Sequence, residues 1–259
     1  MTKILATIEA RMTSKRLPGK VLKRIINKYP IIELIYLRVM KSKFINHICV
    51  STTTQKTDDI LIKFLKKKNI DYFRGEEKNV LKRVIDTAKV YNPEIIVQLT
   101  GDNPFLDAEI IDEMIKYFKK KKCQFLTNNA FGVSSDRNFP HGMTVNIFYF
   151  KDLLKNYKYC NKKELKEHTS LYFFREGRKK FKILNMPIKK KWKKNFLPRL
   201  TIDEKLDFIF VNKIFKNFNQ KKENLYFSYK QILDYLEKNR YLLKINSHIT
   251  QKKFKGING

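Results

Sequence analysis

Residues 11–20 carry four cationic side chains, of which Arg11, Arg16 and Lys20 are the candidates for binding phosphate. They follow the apolar run 4–8, which predicts a buried first strand. Cationic side chains and backbone N–H groups that leave the end of a strand can converge on phosphate oxygens, and Gly19 lets the backbone approach a ligand closely. The segment therefore predicts a triphosphate-binding loop, for which an ordinary basic surface loop is the alternative.

Two carboxylates further along the chain have the chemistry of metal ligands. Asp102 follows the β-branched run 95–100, the predicted central strand, and open α/β sheets bind ligands beyond the carboxyl ends of their strands. Asp203 lies between a short predicted strand and a helix, which suits either a helix N-cap or a second carboxylate across the site. Because Mg²⁺ prefers oxygen ligands and shares its coordination with phosphates and water, the two carboxylates predict a magnesium site.

The elements around these residues follow an alternating pattern. Strand-like and helix-like segments alternate, which predicts an α/β fold with a Rossmann-like, mostly parallel sheet and helices on both faces. The predicted strands are 4–8, 47–52, 70–73, 95–100, 125–126 and 145–150. The predicted helices are 31–40, 58–68, 78–91, 107–119, 163–176, 203–215 and 229–238. The polar stretch 128–140 is predicted to be a functional loop.

The composition argues against several classes of protein. No apolar run approaches the roughly 20 residues needed to cross a bilayer, and the N-terminus lacks a signal-peptide pattern. We therefore expect a cytoplasmic protein without membrane insertion. Cys49, Cys123 and Cys160 form no C-x-x-C pair, so buried reduced thiols are expected in place of disulfides or a zinc site.

The net charge of +31 suggests a nucleic-acid binder at first sight. Of the 56 basic residues, however, only 11 are Arg and the remaining 45 are Lys, whereas nucleic-acid surfaces favour Arg for bidentate contacts. Many of the lysines lie on outer faces or at C-terminal ends of predicted helices. The charge thus predicts a solvated surface and no specific nucleic-acid partner. A module that binds polyanions through its lysines is the alternative.

Four segments carry a resemblance to a known family. Residues 10–20 resemble the A-R-x-x-S-x-R-L-P-G-K signature of sugar-activating cytidylyltransferases. Residues 97–104 resemble the V-x-x-T-G-D-x-P of the spore-coat polysaccharide type, 200–203 resemble its L-T-V-D, and 74–83 resemble the G-x-x-x-x-V-L-x-R segment between them. The synthetases of CMP-octulosonate and CMP-neuraminate are more distant relatives. The resemblance spans about residues 3–216.

The resemblance implies a fold, a cofactor and a set of site residues. The fold is that of nucleotide-diphospho-sugar transferases (glycosyltransferase-A-like), the cofactor is Mg²⁺, and a homodimer is expected. The implied nucleotide-binding residues are Ala10, Arg11, Ser14, Gly19, Lys20, Arg74, Gln98, Thr100 and Gly101. The implied catalytic residues are Arg11, Arg16, Lys20 and Asp102, and the implied metal ligands are Asp102 and Asp203.

One segment departs from the family pattern. Where many members read P-D-G-L-D-V-E, residues 140–146 read P-H-G-M-T-V-N, so that three acidic positions have become His, Thr and Asn. We expect His141, Gly142 and Asn146 to border the acceptor. His168, in Glu167-His168-Thr169, resembles part of an E-H-x-T-type feature of the family and suits either an acceptor contact or a partly buried helix histidine. The loss of acids favours a more anionic acceptor, such as a carboxylate, a phosphate or a phosphonate.

The resemblance implies transfer of CMP from CTP to an acidic sugar, with release of pyrophosphate, in surface-polysaccharide or glycan precursor synthesis. A cytidylyltransferase acting on a sugar phosphate or phosphonate, or a glycosyltransferase using a nucleotide-sugar, are the alternatives. The chain lacks the D-x-D motif that such glycosyltransferases commonly carry. We expect one nucleotidyltransferase domain over 1–245, with about 128–195 as an acceptor or dimerisation subregion and 246–259 as a basic, mobile tail.

Overall fold

The computed structural model describes residues 2–129, 139–219 and 224–251. The strands are β1 (Ile4–Glu9), β2 (Arg24–Ile25), β3 (Tyr29–Pro30), β4 (His47–Thr53), β5 (Tyr72–Gly75), β6 (Ile95–Thr100), β7 (Phe125–Thr127), β8 (Asn146–Tyr149) and β9 (Ile183–Asn185). The helices are α1 (Ile31–Val39), α2 (Asp59–Lys67), α3 (Val80–Tyr91), α4 (Ala108–Lys121), α5 (Phe150–Tyr157), α6 (Lys163–Glu167), α7 (Leu171–Phe174), α8 (Lys205–Asn219) and α9 (Tyr229–Lys238). Short 3₁₀ turns lie at Lys20–Leu22, Lys56–Asp58, Lys190–Trp192 and Arg240–Ile245.

The central sheet has seven strands in the order β5-β4-β1-β6-β8-β7-β9. The pairs β5–β4, β4–β1, β1–β6 and β7–β9 are parallel, and β8 runs antiparallel to both β6 and β7. Strands β2 and β3 form a separate small antiparallel pair. The predicted mostly parallel sheet is therefore confirmed. Its arrangement brings the carboxyl ends of β1 and β6 side by side, directly below the loops at 10–20 and 101–107.

The apolar side chains of the strands alternate between two cores. Ile4, Ala6 and Ile8 of β1 point to the core that α1, α2, α4, α8 and α9 cover. Leu5 points to the opposite core, with Ile96 of β6, under α3, α5, α6 and α7. A strand that is apolar on both faces is typical of a sheet covered by helices on both sides, so that part of the prediction is also confirmed.

Two predicted elements are wrong in detail. The predicted helix 163–176 is broken into α6 and α7, because His168 between them has an extended backbone (φ −123°, ψ 100°). The break lets Leu165 and Phe173 reach the same core. The predicted strand 145–150 ends at Tyr149, where α5 begins at once. Helix α5 and strand β9 are not among the predicted elements: Phe150 of α5 falls in the predicted strand 145–150, and β9 is only three residues long.

Other predictions have mixed outcomes. All three cysteines are free and buried, as expected. In the part of the chain that the structure describes, no helix has the length and apolarity to cross a membrane. Residues 130–138 of the predicted functional loop and 252–259 of the predicted tail lie outside the described residues. The proposed division into domain, subregion and tail stays a prediction, although Asn246, its first tail residue, is 1% exposed.

The segment 200–202, where a short strand is predicted before Asp203 but the structure has none, joins the loops at the carboxyl edge of the sheet. The backbone N–H of Leu200 donates to His141 O at 2.7 Å, and that of Ile202 donates to Asp102 O at 2.9 Å. Gly142 has a φ of +99°, and a Cβ there would lie 2.2 Å from the carbonyl carbon of Leu200. The close approach of the two backbones requires glycine at this position.

We expect Gly142→Ala to lower the free energy of unfolding by at least about 2 kcal/mol, because the new methyl meets backbone that cannot move away. Gly19→Ala is the matched control. Gly19 also has a positive φ, of 68°, but its nearest neighbour is the flexible end of Met12 at 3.3 Å. Urea unfolding measures both variants. An equal, small loss in both would contradict the close packing of Gly142 against Leu200.

Candidate active site

The loop that follows β1 is tied to the neighbouring strands by its backbone. The N–H of Ala10 donates to Ser51 O at 3.2 Å, and the N–H of Met12 donates to the buried Asp58 Oδ1 at 2.7 Å. Gly19 closes the loop by donating its N–H to Met12 O at 2.9 Å. These bonds fold residues 10–20 over the carboxyl ends of β1 and β4 and deliver Lys20 to the site.

Lys20 lies between the two predicted metal ligands. Its Nζ is 3.0 Å from Asp102 Oδ2 and 3.0 Å from Asp203 Oδ1, and it also donates to Ile202 O at 2.7 Å. Lys20 is 9% exposed. Burial acts to lower the pKa of its ammonium, but the two carboxylates outweigh that effect and raise the pKa. Three segments far apart in sequence therefore meet at one buried cation.

Asp102 is oriented from its own turn. Its Oδ1 accepts a hydrogen bond from Thr100 Oγ1 at 2.7 Å, which leaves Oδ2 for Lys20. Asn103 Nδ2 donates to Thr100 Oγ1 at 2.9 Å and so fixes the hydroxyl that orients the carboxylate. The predicted nucleotide residue Thr100 thus acts on Asp102 directly.

Arg16 borders the same cluster on its outer side. Its guanidinium lies 3.1 Å from Asp203 Oδ2 and 3.0 Å from Glu204 Oε1. Burial alone would raise the pKa of Asp203, but Lys20, Arg16 and Arg199 around it lower that pKa below its ordinary value. Asp203 is therefore held as a carboxylate. Arg16 is partly exposed, with 28% of its side chain accessible on the outer side of the cluster.

The other cations of the predicted set lie apart from Lys20. Arg11 pairs with Glu77 at 3.4 Å on the loop before α3. Arg74 donates to Thr53 O at 2.9 Å and pairs with Asp59 at 2.8 Å, at the carboxyl end of β4. The structure therefore brings Arg16 and Lys20 together with the two acids, and it places Arg11 and Arg74 along the rim formed by β4 and β5.

A row of polar side chains crosses the sheet toward its carboxyl edge, on the face that α3 and α7 cover. Gln98 Nε2 donates to Glu9 Oε2 at 2.9 Å, and Asn146 Nδ2 donates to Gln98 Oε1 at 3.1 Å. Thr7 donates to Glu9 Oε1 at 2.9 Å, and Thr127 donates to Asn146 Oδ1 at 2.8 Å. A predicted nucleotide residue, Gln98, and a predicted acceptor residue, Asn146, thus share one network.

Glu9 is the ionisable member of this row. Burial raises the pKa of its carboxyl to about 7, although the hydrogen bonds from Gln98 and Thr7 and the nearby Arg83 act in the opposite direction. Arg83 is 2% exposed, and its Nε is buried with no hydrogen-bond partner among the described residues. A carboxyl and a guanidinium with spare hydrogen-bonding capacity therefore lie behind the open edge of the sheet.

The remaining predicted residues have mainly backbone contacts in this structure. Ser14 donates its N–H to Met12 O at 3.0 Å, and Gly101 donates its N–H to Glu9 O at 2.9 Å. His141 accepts from Leu200 through its carbonyl at 2.7 Å. His168 lies at the break between α6 and α7, where burial lowers the pKa of its imidazole. Their roles toward a nucleotide or an acceptor stay predictions.

Several residues of the site escaped the sequence reasoning. Glu9 ends the first strand directly before the basic loop, and this position at the carboxyl end of a strand is the sequence feature that indicates a site residue. Arg199 and Asp207 lie four residues before and after the predicted ligand Asp203, but only Asp207 lies in a helix, so their spacing gave no helical signal. Glu204, the second partner of Arg16, lies next to a predicted ligand and gave no separate signal.

The residues present fit a magnesium ion. Asp102 and Asp203 both reach one ammonium, so the point between them already accommodates a cation. Among the described residues, no group of three or more His, Cys, Asp or Glu side chains is placed to hold a metal. Two carboxylates, with phosphates and water completing the shell, are the usual protein contribution to a Mg²⁺ site.

The fold and this site define the chain as a nucleotidyltransferase. The model of the cytidylyltransferase family matches residues 5–247, so the chain belongs to that family. The spore coat polysaccharide biosynthesis protein SpsF of Bacillus subtilis is 29% identical over 231 residues, which are 86% of this chain and 90% of that protein.

Solved structures agree with this assignment. A cytidylyltransferase from Leptospira borgpetersenii superposes with a TM-score of 0.84 at 31% identity, covering 98% of this chain and all of that one. The CMP:2-keto-3-deoxy-manno-octonic acid synthetase complexed with CTP has a TM-score of 0.61 at 13% identity, covering 84% of this chain and 100% of that one. The second likeness concerns the fold alone, which is that of the nucleotide-diphospho-sugar transferases, as predicted.

We expect Glu9→Gln to remove a pH dependence of stability. The pKa of Glu9 rises from about 4.5 to about 7 on folding, so the native state holds a proton that the unfolded state has lost. Stability from this group is present below about pH 4.5 and is lost as pH rises to about 7. The variant should therefore gain roughly 3 kcal/mol over the native protein at pH 8 and little at pH 4.5. Parallel pH dependences in urea unfolding would rule this out.

Proposed function

We propose that this cytidylyltransferase transfers CMP from CTP to a hydroxyl of an acidic sugar, with release of pyrophosphate and with Mg²⁺ as cofactor. The observation that carries the proposal is the meeting of Lys20, Asp102 and Asp203 below a basic loop. Carboxylates that hold a cation next to arginines suit a triphosphate and its metal. Such chemistry depends mainly on positioning and electrostatics, without a covalent protein intermediate.

The basic loop would bind the triphosphate. Arg16 and Lys20 are the cations nearest the two carboxylates, and Arg11 lies further along the rim. The acceptor hydroxyl loses its proton to water and its oxygen attacks the α-phosphorus. The bond from the α-phosphorus to the oxygen that bridges it to the β-phosphorus breaks, and that electron pair leaves with pyrophosphate. Arg16 and Lys20 stabilise the charge that develops on that leaving group, which is worth on the order of 100-fold in rate per donor.

Asp102 and Asp203 would hold the metal. When bound there, Mg²⁺ would supply positive charge that offsets the charge of the phosphate oxygens. Since Lys20 now fills the point between the carboxylates, it must release them when it turns to the phosphates. Thr100 keeps Asp102 oriented during that exchange, because their hydrogen bond of 2.7 Å does not involve Lys20.

The polar row is the proposed floor of the acceptor subsite. Asn146 is uncharged and fully engaged with Thr127 and Gln98, so it places no negative charge there. Arg83 adds a buried cation with an unused Nε among the described residues. Since burial raises the pKa of Glu9 in the same row to about 7, this carboxyl is neutral below that pH, and the row then supports an anionic acceptor. SpsF is named for spore coat polysaccharide biosynthesis, which is in keeping with an activated sugar as the product.

Calorimetric titration with CTP, UTP, GTP and ATP, each with Mg²⁺, tests the nucleotide half without an acceptor. We expect selective CTP binding that Arg16→Ala weakens by roughly tenfold or more, because a charge-assisted phosphate contact is lost. Lys63→Ala, on the outer face of α2, is the matched control for net charge and should leave binding unchanged. Equal, salt-sensitive binding of all four nucleotides would contradict the proposal. Pyrophosphate release with 3-deoxy-manno-octulosonate and sugar phosphates then tests the acceptor class.

Lys20→Met tests whether Lys20 and the metal exchange at the position between Asp102 and Asp203. With the ammonium gone, two carboxylates face each other unpaired, so we expect Mn²⁺ alone to bind at least about tenfold more tightly than to the native protein. CTP binding should weaken at the same time. Electron paramagnetic resonance of Mn²⁺ measures the free metal directly. Arg11→Met, which removes a cation from the same loop away from Asp102 and Asp203, should not tighten Mn²⁺. Unchanged metal affinity in Lys20→Met would contradict the proposal that Lys20 and the metal compete for Asp102 and Asp203.

A further inference from the structure

Behind Asp203 lies a second charged pair that the proposed chemistry does not use. Arg199 Nη2 donates to Asp203 Oδ2 at 3.0 Å, and Arg199 Nε donates to Asp207 Oδ1 at 2.9 Å. The side chains of Arg199 and Asp207 are 7% and 0% exposed. The guanidinium therefore connects a predicted metal ligand, on its open side, with a fully buried carboxylate on its closed side.

Asp207 also holds the backbone on which Asp203 sits. Asp207 lies in the first turn of α8, and its Oδ2 accepts hydrogen bonds from the N–H groups of Asp203 and Glu204, directly before the helix, at 3.0 and 3.1 Å. A carboxylate is favoured there because the N–H groups at a helix start have no partner inside the helix. Asp207 thus fixes the main chain of Asp203 directly and its side chain through Arg199.

Asn246 completes the arrangement from near the end of the chain. Its Nδ2 donates to Asp207 Oδ1 at 2.9 Å and to Arg199 O at 3.0 Å. Asn246 is 1% exposed and follows the 3₁₀ turn at Arg240–Ile245. One amide group therefore contacts both members of the buried pair, although it lies 39 residues beyond Asp207.

We propose that Asp207 and Asn246 are positioning residues for nucleotidyl transfer: they set the direction of Arg199, which holds Asp203 in the orientation that binds metal with CTP. The inference rests on the proposed function. When Lys20 leaves Asp203 for the phosphates, Arg199 is the buried group that still restrains the carboxylate. The segment around Asn246 then belongs to the catalytic apparatus without touching substrate.

A purely structural role would give a different pattern of effects. Buried ion pairs often contribute little net stability, since desolvation offsets their attraction, so stability alone does not account for this arrangement. A positioning role requires metal affinity to fall while the contacts to the nucleotide phosphates survive. Affinity for Mn²⁺ in the presence of CTP, compared with affinity for CTP without metal, separates the two roles.

The test uses Asn246→Ala in the full chain, with Asn212→Ala as the matched control. Asn212 lies on α8 and its Oδ1 accepts from the Ile26 N–H at 2.7 Å, so its loss also removes a side-chain hydrogen bond but leaves Arg199 untouched. We expect Asn246→Ala to weaken Mn²⁺ binding with CTP by about tenfold, equivalent to 1.4 kcal/mol. CTP binding without metal should stay within about twofold of the native protein. The control should lower the melting temperature comparably and leave Mn²⁺ affinity unchanged.

Arg199→Lys provides a second variant, because it keeps the charge and loses the fork that reaches two carboxylates at once. It should weaken Mn²⁺ binding in the same assay. Native Mn²⁺ affinity in both Asn246→Ala and Arg199→Lys would overturn the positioning role. If the native protein itself binds no Mn²⁺ with CTP, the proposed function fails and the inference fails with it. This outcome is seen in the native protein alone, so it differs from a failure of the positioning role, which is seen only in the variants.

Discussion

The site depends on the balance of charge around one buried ammonium. Lys20 reaches Asp102 and Asp203 at 3.0 Å each, and without it two carboxylates would face each other in a poorly solvated place. Like charges at such distances raise each other's pKa and push their segments apart. Lys20 offsets that repulsion, and together with the Arg16–Asp203 ion pair and the Ile202–Asp102 backbone hydrogen bond it keeps the basic loop, the turn after β6 and the segment before α8 in one place. The proposed chemistry depends on that convergence.

One face of the sheet changes from apolar to polar side chains along the length of its strands. Toward the amino ends of the central strands this face is apolar, with Leu5, Ile96 and Phe148 packed under helices. Toward the carboxyl edge the same face turns polar, at Gln98 and Asn146. Because side chains of adjacent strands align in register, the change from apolar to polar occurs in neighbouring strands together. The residues that pack the core and the residues proposed to border the acceptor therefore lie on one face of the sheet, at different distances from its carboxyl edge.

The sequence was most informative where elements are strongly periodic and loops are short. The first strand, the central strand at 95–100 and the helices from 80 to 121 follow directly from apolar patterns, and the basic loop and Asp102 follow from their places after strands. The class of enzyme came from motif resemblance, which the family match bears out. Helix α5 does carry a helical period at Phe150, Leu153 and Tyr157, but its first residue continues the apolar run of β8, and β9 is too short to show a period of its own.

Contacts within the site were harder to foresee. That Lys20 lies between the two acids, or that Asn146 reaches Gln98, depends on which strands become neighbours, and sequence spacing does not encode that order. Glu9 and Asn246 escaped notice because a lone acid and a lone amide are ordinary residues until their partners are known. Both became informative only through burial and through the groups that surround them.

The segment 200–202 has a consequence for how related chains can vary in length. It is bonded to Asp102 O on one side and to His141 O on the other, and Asp203 follows immediately. One residue added or removed there would shift the carboxylate by about 3.3 Å, more than the length of the hydrogen bonds it makes. In related chains, insertions and deletions should therefore be absent from the segment that corresponds to 199–203. They should occur in surface loops that contain no residue of the site.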